Sequence, residues 1–260
     1  MKVLNVVRNM RNTAYSREAI RKVRNRLRPV ADEAQSAVEW ARTVAVELET
    51  WAGSINAALW QEALTFKMDA VRQAQPTVDA FGRRGITTGG AASIELLYFL
   101  TRLQRPTYVL ETGVAAGWSS WAFLQAMQKN DHGTLLSSDL PYLTATDPER
   151  VVGSLVPESL KARWHLRIRG DRDNLPYLLD GLDHVDLMHY DSDKSRTGRE
   201  FFYAATRKVR DANTIFVMDD IQDDCFFRDM AAPSRDYVVF HYGAKFVGLR
   251  GVGPALKGKQ

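Results

Sequence analysis

The sequence predicts an α/β fold: a doubly wound, mostly parallel seven-stranded sheet closed by a C-terminal antiparallel hairpin and preceded by N-terminal helices. Three observations predict it. Across residues 30–75 apolar side chains recur three and four apart, as in Val38, Ala41, Val44, Ala45 and Leu48, with no proline or turn cluster apart from Gly53. That is the period of helix. After Pro106, short apolar runs alternate with helical segments, which builds a parallel sheet covered on both faces. The last two runs are separated only by Tyr242, Gly243, Ala244 and their neighbours, too few residues for a crossover, so they must pair antiparallel.

Strands are expected at 108–111, 134–138, 165–169, 185–190, 214–218, 237–241 and 246–249, with helices between the first five. In the third, Trp164, Leu166 and Ile168 alternate with His165, Arg167 and Arg169, which suits an edge strand with one wet side. Residues 75–90 are rich in glycine and proline and read as a loop and hinge, dividing an N-terminal part (1–75) from the main domain (76–260). The apolar spacing at Ile94, Leu96, Leu97 and Leu100 then predicts a helix leading to Pro106.

With 260 residues, 45% hydrophobic and 25% charged, the chain suits one soluble domain with a helical extension. No apolar run is long enough for a membrane span and no secretory h-region is present, so a cytoplasmic location is the default expectation. The single Cys225 excludes an intrachain disulfide and a thiolate metal centre. The net charge of +4 is uneven: residues 1–28 carry nine Lys/Arg and one acid, so the remainder is acidic. Such a run reads as a solvated appendage or as contact with an acidic surface such as lipid head groups or nucleic acid. No nucleic-acid partner is expected for the main domain. The apolar faces of the N-terminal helices need burial, on the sheet or across a homodimer.

Candidate chemistry lies at the expected strand ends. The first strand leads into a G-x-x-x-G turn, Gly113 to Gly117, where backbone can approach a ligand, and Ser119 or Ser120 can cap the helix that follows. The second close glycine of a dinucleotide fingerprint is absent, which disfavours a Rossmann oxidoreductase. Glu111 ends the first strand, and Asp139 ends the second, where an acid can accept from ribose hydroxyls. A nucleoside bearing an amino acid rather than phosphates meets these demands, and S-adenosylmethionine is such a molecule. Asp171, beyond the third strand, joins the candidate cofactor-binding residues. The fourth and fifth strands run out into Asp191 and into Asp219-Asp220. Three carboxylates converging there would repel one another unless a cation neutralised them, and hard oxygen ligands select Mg2+ or Mn2+. Asp223 and Asp224 read as helix caps.

VLETGVAAGWSS, SSDLP, HYDSDKS and VMDD, in that order, resemble the class I, cation-dependent O-methyltransferases of the catechol O-methyltransferase type and related sugar- and antibiotic-tailoring enzymes. The resemblance spans roughly residues 87–249. It implies that Glu111, Gly113, Gly117 and Ser119 contact the methionine part of the cofactor, that Asp139 binds ribose, and that Asp191, Asp219 and Asp220 hold the metal. The base would be Lys194, which occupies the position used by the catechol type, or Asp193, the position favoured by the sugar branch. The expected reaction is methylation of a small-molecule hydroxyl, of a sugar or glycosylated natural product by the Asp219-Asp220 pair and the Asp191-x-Asp193 spacing. A phenol acceptor and a non-catalytic binding module are the competing readings.

Overall fold

A computed structural model of the chain describes residues 2–26, 31–234, 236–253 and 256. Residues 1, 27 and 28 of the basic stretch, and Val30, lie outside the described residues. The strands are β1 (Ala45–Val46), β2 (Tyr108–Thr112), β3 (Thr134–Asp139), β4 (Trp164–Ile168), β5 (Leu187–Tyr190), β6 (Ile215–Met218), β7 (Tyr237–Tyr242) and β8 (Lys245–Arg250). They form one sheet in the order β1-β7-β8-β6-β5-β2-β3-β4. β8 runs antiparallel to β6 and β7, and every other pair is parallel. The seven expected strands are all present, and β4 is the edge with His165 exposed.

Strand residues alternate between two cores, as a two-residue period requires. Val109, Leu135, Leu187 and Ile215 stand in register on one face, packed with Phe99 and Phe123 from α5 (Ile94–Gln104) and α6 (Trp118–Asn130). Leu110, Leu136, Met188 and Phe216 stand on the other. There they meet Leu175 of α7 (Asp171–Leu178), Phe202 of α8 (Arg196–Ala205) and Phe227 of α9 (Phe226–Ala231). Both faces are thereby dry, which leaves the strand ends as the place for polar chemistry.

The N-terminal part differs from expectation in two respects, the added β1 and the helix that runs past Pro76, while its helices bury their apolar faces on the sheet, one of the two expected ways. α3 (Ala31–Val44) and α4 (Leu48–Arg83) cover opposite faces of the same sheet, with Ala41 in one core and Trp51, Trp60 and Ala70 in the other. Between them, β1 adds an eighth, two-residue strand beside β7. The stretch expected to be a loop from residue 75 is helical as far as Arg83, with Pro76 inside α4, so positions 75 and 76 lie within one helix. Proline forfeits one helical hydrogen bond, but burial of Ala70 and Ala74 and packing of Val78 against the core hold the helix on both sides of it. α4 ends where Gly85 takes a left-handed conformation, φ +68°. Its other irregularity is at Asn56, which leaves helical geometry and accepts the Leu59 N–H through its side chain.

Two further helices, α1 (Lys2–Asn9) and α2 (Thr13–Arg26), lie at the carboxyl edge of the sheet. Asn5 donates to the Thr144 carbonyl, Asn9 to those of Leu143 and Ala145, and Tyr15 to the Glu149 carboxylate. Glu18 is buried against Gly170 and Leu140. Among the described residues no helix is long and apolar enough to cross a membrane.

Candidate active site

β2 is the central strand of the parallel set, and its end carries the first part of the site. Glu111 is fully buried. Its Oε2 accepts from Ser120 Oγ at 2.6 Å and Ser137 Oγ at 2.7 Å, while Oε1 is buried with no hydrogen-bond partner. A buried carboxylate oxygen left bare is costly, and here it sits beside the glycine turn. The turn itself is held in left-handed conformations at Gly113 (φ +91°), Ala115 (φ +48°) and Gly117 (φ +106°). A Cβ on Gly113 would collide with the main-chain carbonyl of Asp191, so this glycine permits the β5 loop to approach.

Asp139 ends β3 and reaches back to the turn: Oδ2 accepts the Ala115 N–H and Oδ1 the Leu140 N–H, each at 2.6 Å. The expected capping of α6 by Ser119 or Ser120 does not occur, because Gly117 is the N-cap and no side chain caps the helix. Ser120 is turned inward to Glu111, and Ser119 is half-buried in the first turn. The α6 N-terminus therefore keeps its N–H groups for an anionic group. Asp171 is buried and accepts from Ser138 Oγ at 2.7 Å and Ser192 Oγ at 2.6 Å, which ties the ends of β3 and β5 together beneath the edge.

β5 and β6 are parallel neighbours with Tyr190 opposite Met218, so Asp191 and Asp219 emerge side by side. Burial, then the Asp219 charge, raise the Asp191 pKa. Asp191 Oδ1 and Asp219 Oδ1 are buried without hydrogen-bond partners, although Lys194 Nζ stands 3.0 Å from the former as an ion pair. Of the three expected carboxylates, Asp191 and Asp220 both reach Lys194 Nζ, and Asp219 lies beside Asp191. Asp220 turns to Lys194 and to Lys245, whose Nζ is 2.9 Å from its Oδ1. Among the described residues no group of three or more His, Cys, Asp or Glu side chains is arranged to hold a metal ion. Asp220 itself adopts a left-handed conformation (φ +52°). Asp191 and Asp219, whose Oδ1 atoms accept no hydrogen bond, still suit a hard cation.

The two candidate bases are separated in space. Lys194 is held between Asp191 and Asp220. Asp193 is buried against the start of α8, close under Gly198, with its Oδ1 accepting the Ser195 N–H at 3.2 Å. Arg21 of α2 faces Asp193, Asp171 and Asp173, and burial together with the Arg172 charge lowers its pKa.

Two residues of the site escaped the sequence reading. His189, in the buried run of β5, pairs with Glu111 across β2 and stands 3.7 Å from Asp219 Oδ1. Burial disfavours its protonation, but Asp219, Glu111 and Asp191 together raise its pKa. A lone histidine in an apolar run gives no spacing signal. Arg199 is fully buried, 3.0 Å from Asp224, and donates to the carbonyls of Asp220 at 2.6 Å and Asp219 at 3.4 Å. Asp224 also accepts the Phe226 N–H, but the N-cap of α9 is Cys225, with no side-chain cap hydrogen bond, and Asp223 accepts from Gln222.

A cavity of about 680 Å³ opens beside the glycine turn, between α1, the end of α4 and the segment 144–154. Phe81, Ile86 and Val151 form its apolar wall, and Arg84, Arg150 and Asp147 its charged rim. Its lining residue Ser154 lies between two residues bonded to the turn, Gly153 donating to the Ala115 carbonyl and Leu155 to that of Ala116.

Residues 110–221 match the family described as "Methyltransferase domain". Among solved structures, the fold is similar to a putative O-methyltransferase from Klebsiella pneumoniae, with 18% identity, 68% of this chain and 89% of that chain covered, and a TM-score of 0.54. It is also similar to a methyltransferase from Geobacter sulfurreducens, with 17% identity, 69% and 88% covered, and a TM-score of 0.50. No curated protein matches the sequence. The matched segment contains the glycine turn and all the candidate residues from Glu111 to Asp220, on a sheet ordered as described above, and the chain shares the fold of these methyltransferase structures.

Proposed function

We propose that the chain is an O-methyltransferase that uses S-adenosylmethionine and a divalent cation, Mg2+ or Mn2+, to methylate a hydroxyl of a sugar or glycosylated natural product. The observation that carries this reading is the bare Oε1 of the buried Glu111 beside the glycine turn. A cationic amine is its natural partner, and the cofactor's amino-acid part offers one. Its carboxylate suits the uncapped α6 N-terminus near Gly117 and Ser119, and its ribose hydroxyls suit Asp139. Asp171 acts in this reading through Ser138 and Ser192, by holding the two strand ends that frame the nucleoside.

S-adenosylmethionine, when bound, supplies a sulfonium-activated methyl carbon that passes to the acceptor oxygen as the carbon–sulfur bond breaks, and a divalent cation supplies Lewis acidity. The chain's own residues align the two reactants and take the proton. Asp191 and Asp219 would hold the cation, with Asp220 joining once it leaves Lys194 and Lys245. Lys194 is the better placed proton acceptor, because it stands at the open edge next to Asp191 while Asp193 is buried against α8. The cavity beside the turn fits a polyhydroxylated acceptor: its volume suits a small molecule, and its rim offers donors and acceptors over an apolar wall.

Isothermal calorimetry with S-adenosylmethionine, its demethylated product and NAD tests the cofactor. Both sulfur nucleosides should bind and NAD should not; if neither nucleoside binds, the reading fails. Exhaustive chelation should abolish turnover and Mg2+ or Mn2+ should restore it. Full turnover after chelation would assign the aspartates to structure.

A further inference from the structure

The helices α1 and α2 are docked on the sheet edge by polar contacts, while Leu4, Val7, Ile20 and Val23 are exposed. Asn5, Asn9, Tyr15 and Glu18 face inward. Leu4 is 74% exposed, Val7 57%, Ile20 59% and Val23 58%, half of the exposed large hydrophobic side chains among the described residues. A surface helix ordinarily buries its apolar stripe against the core, so this arrangement is inverted. The exposed positions are also ordered. Leu4 and Val7 stand at i and i+3 on one face of α1, while Arg8 donates to the Thr146 carbonyl; Arg17, Ile20 and Arg24 stand at i, i+3 and i+7 on one face of α2, with Val23 alongside. The first 28 residues carry nine Lys/Arg against one acid, whereas the remainder of the chain is acidic.

We propose that this outward face is a docking surface for an anionic lipid bilayer. Arginines beside aliphatic residues on short helices match the two components of an interface: negatively charged head groups and the upper acyl region. A nucleic acid would engage the arginines but leave four aliphatic side chains in water. A second copy of this chain would bring the exposed Arg17 and Arg24 against their like-charged counterparts. The helices lie flat on the surface and span nothing.

The inference is independent of the proposed reaction, and its test uses the full chain without substrate. Flotation is measured with vesicles of phosphatidylcholine alone and of phosphatidylcholine mixed with phosphatidylglycerol. The chain is expected to float with the anionic vesicles only and to be released by high salt. Arg17→Ala and Arg24→Ala should each weaken partitioning roughly fivefold. Ile20→Asp combined with Val23→Asp should abolish it, with the melting temperature retained because both positions are exposed. Equal partitioning onto neutral vesicles, no partitioning at all, or full partitioning by the double aspartate variant would overturn the proposal. So would tight binding of a polyribonucleotide in place of vesicles, or a concentration-dependent dimer that the double aspartate variant dissolves.

Discussion

Arg199 is the largest fully buried side chain described, and replacing it isolates the contribution of one buried charge. Its guanidinium stands 3.0 Å from the Asp224 carboxylate, with the two side chains 0% and 2% exposed, so water screens neither. Arg199→Met keeps most of the aliphatic stem but leaves Asp224 as an uncompensated buried anion and frees the Asp219 and Asp220 carbonyls. Breaking a buried pair in this way costs about 3–5 kcal/mol. Against a total stability of about 5–15 kcal/mol, that is roughly a fifth or more of what holds the fold. Urea unfolding followed by circular dichroism should show the midpoint lowered by roughly 1–2 M, given m-values of about 2–3 kcal/mol/M for a chain of this size. Adding Asp224→Asn, which removes the stranded charge but keeps an oxygen for the Phe226 N–H, should recover much of the loss. Because Arg199 touches the Asp219-Asp220 backbone and none of the residues around the glycine turn, S-adenosylmethionine affinity should be retained where the variant is folded, while turnover falls. A single variant within about 1 kcal/mol of wild type would refute the view that this pair organises the turn.

Other perturbations report on separate parts of the molecule. Glu111→Gln should weaken S-adenosylmethionine binding by about 1.5–3 kcal/mol, roughly ten- to a hundredfold in Kd, read by calorimetry; unchanged affinity would remove Oε1 from ligand binding. Gly113→Ala should destabilise the fold by about 1–3 kcal/mol through collision with the Asp191 carbonyl, so its melting temperature, and not only its ligand affinity, should fall. Lys194→Met should lower kcat about a hundredfold or more with Asp193→Asn milder, and the reverse order would exchange the two assignments. The Arg102 hydrogen bond holds the Glu62 carboxyl below its ordinary pKa, against burial, with the Tyr98 hydroxyl assisting. A carboxyl lowered by folding adds stability above its unfolded value, about 4.3, and loses it as pH falls through the folded value. Glu62→Gln should therefore lower the melting temperature at neutral pH and flatten its decline in acid, and an unchanged pH profile would count against the contact.

The sheet and half of the site could be read from local pattern. Each strand of the parallel set is a short apolar run between helical segments, and burial on both faces demands such runs whatever their neighbours are. Glu111, the glycine turn, Asp139 and the aspartates after β5 and β6 were legible because strand ends of a parallel sheet meet at one edge, so sequence position fixes their neighbourhood. The hairpin followed from the length of its connection. By contrast, the loop expected from residue 75 failed because composition marks where a helix is weakest, while packing of Ala70, Ala74 and Val78 decided that it continues past Pro76.

What only the tertiary structure decided is the direction in which side chains point once the backbone is placed. The sequence by itself determined that Asp191, Asp219 and Asp220 share an edge. It could not determine that Asp220 adopts a left-handed backbone and pairs with Lys194 and Lys245, or that Arg199 lies beneath it. His189 and the seating of α1 and α2 are of the same kind. Backbone period is a property of neighbours in the chain, and so it survives in the sequence; charge pairing and exposure are properties of neighbours in space, brought together over separations of many residues, and no local pattern records them.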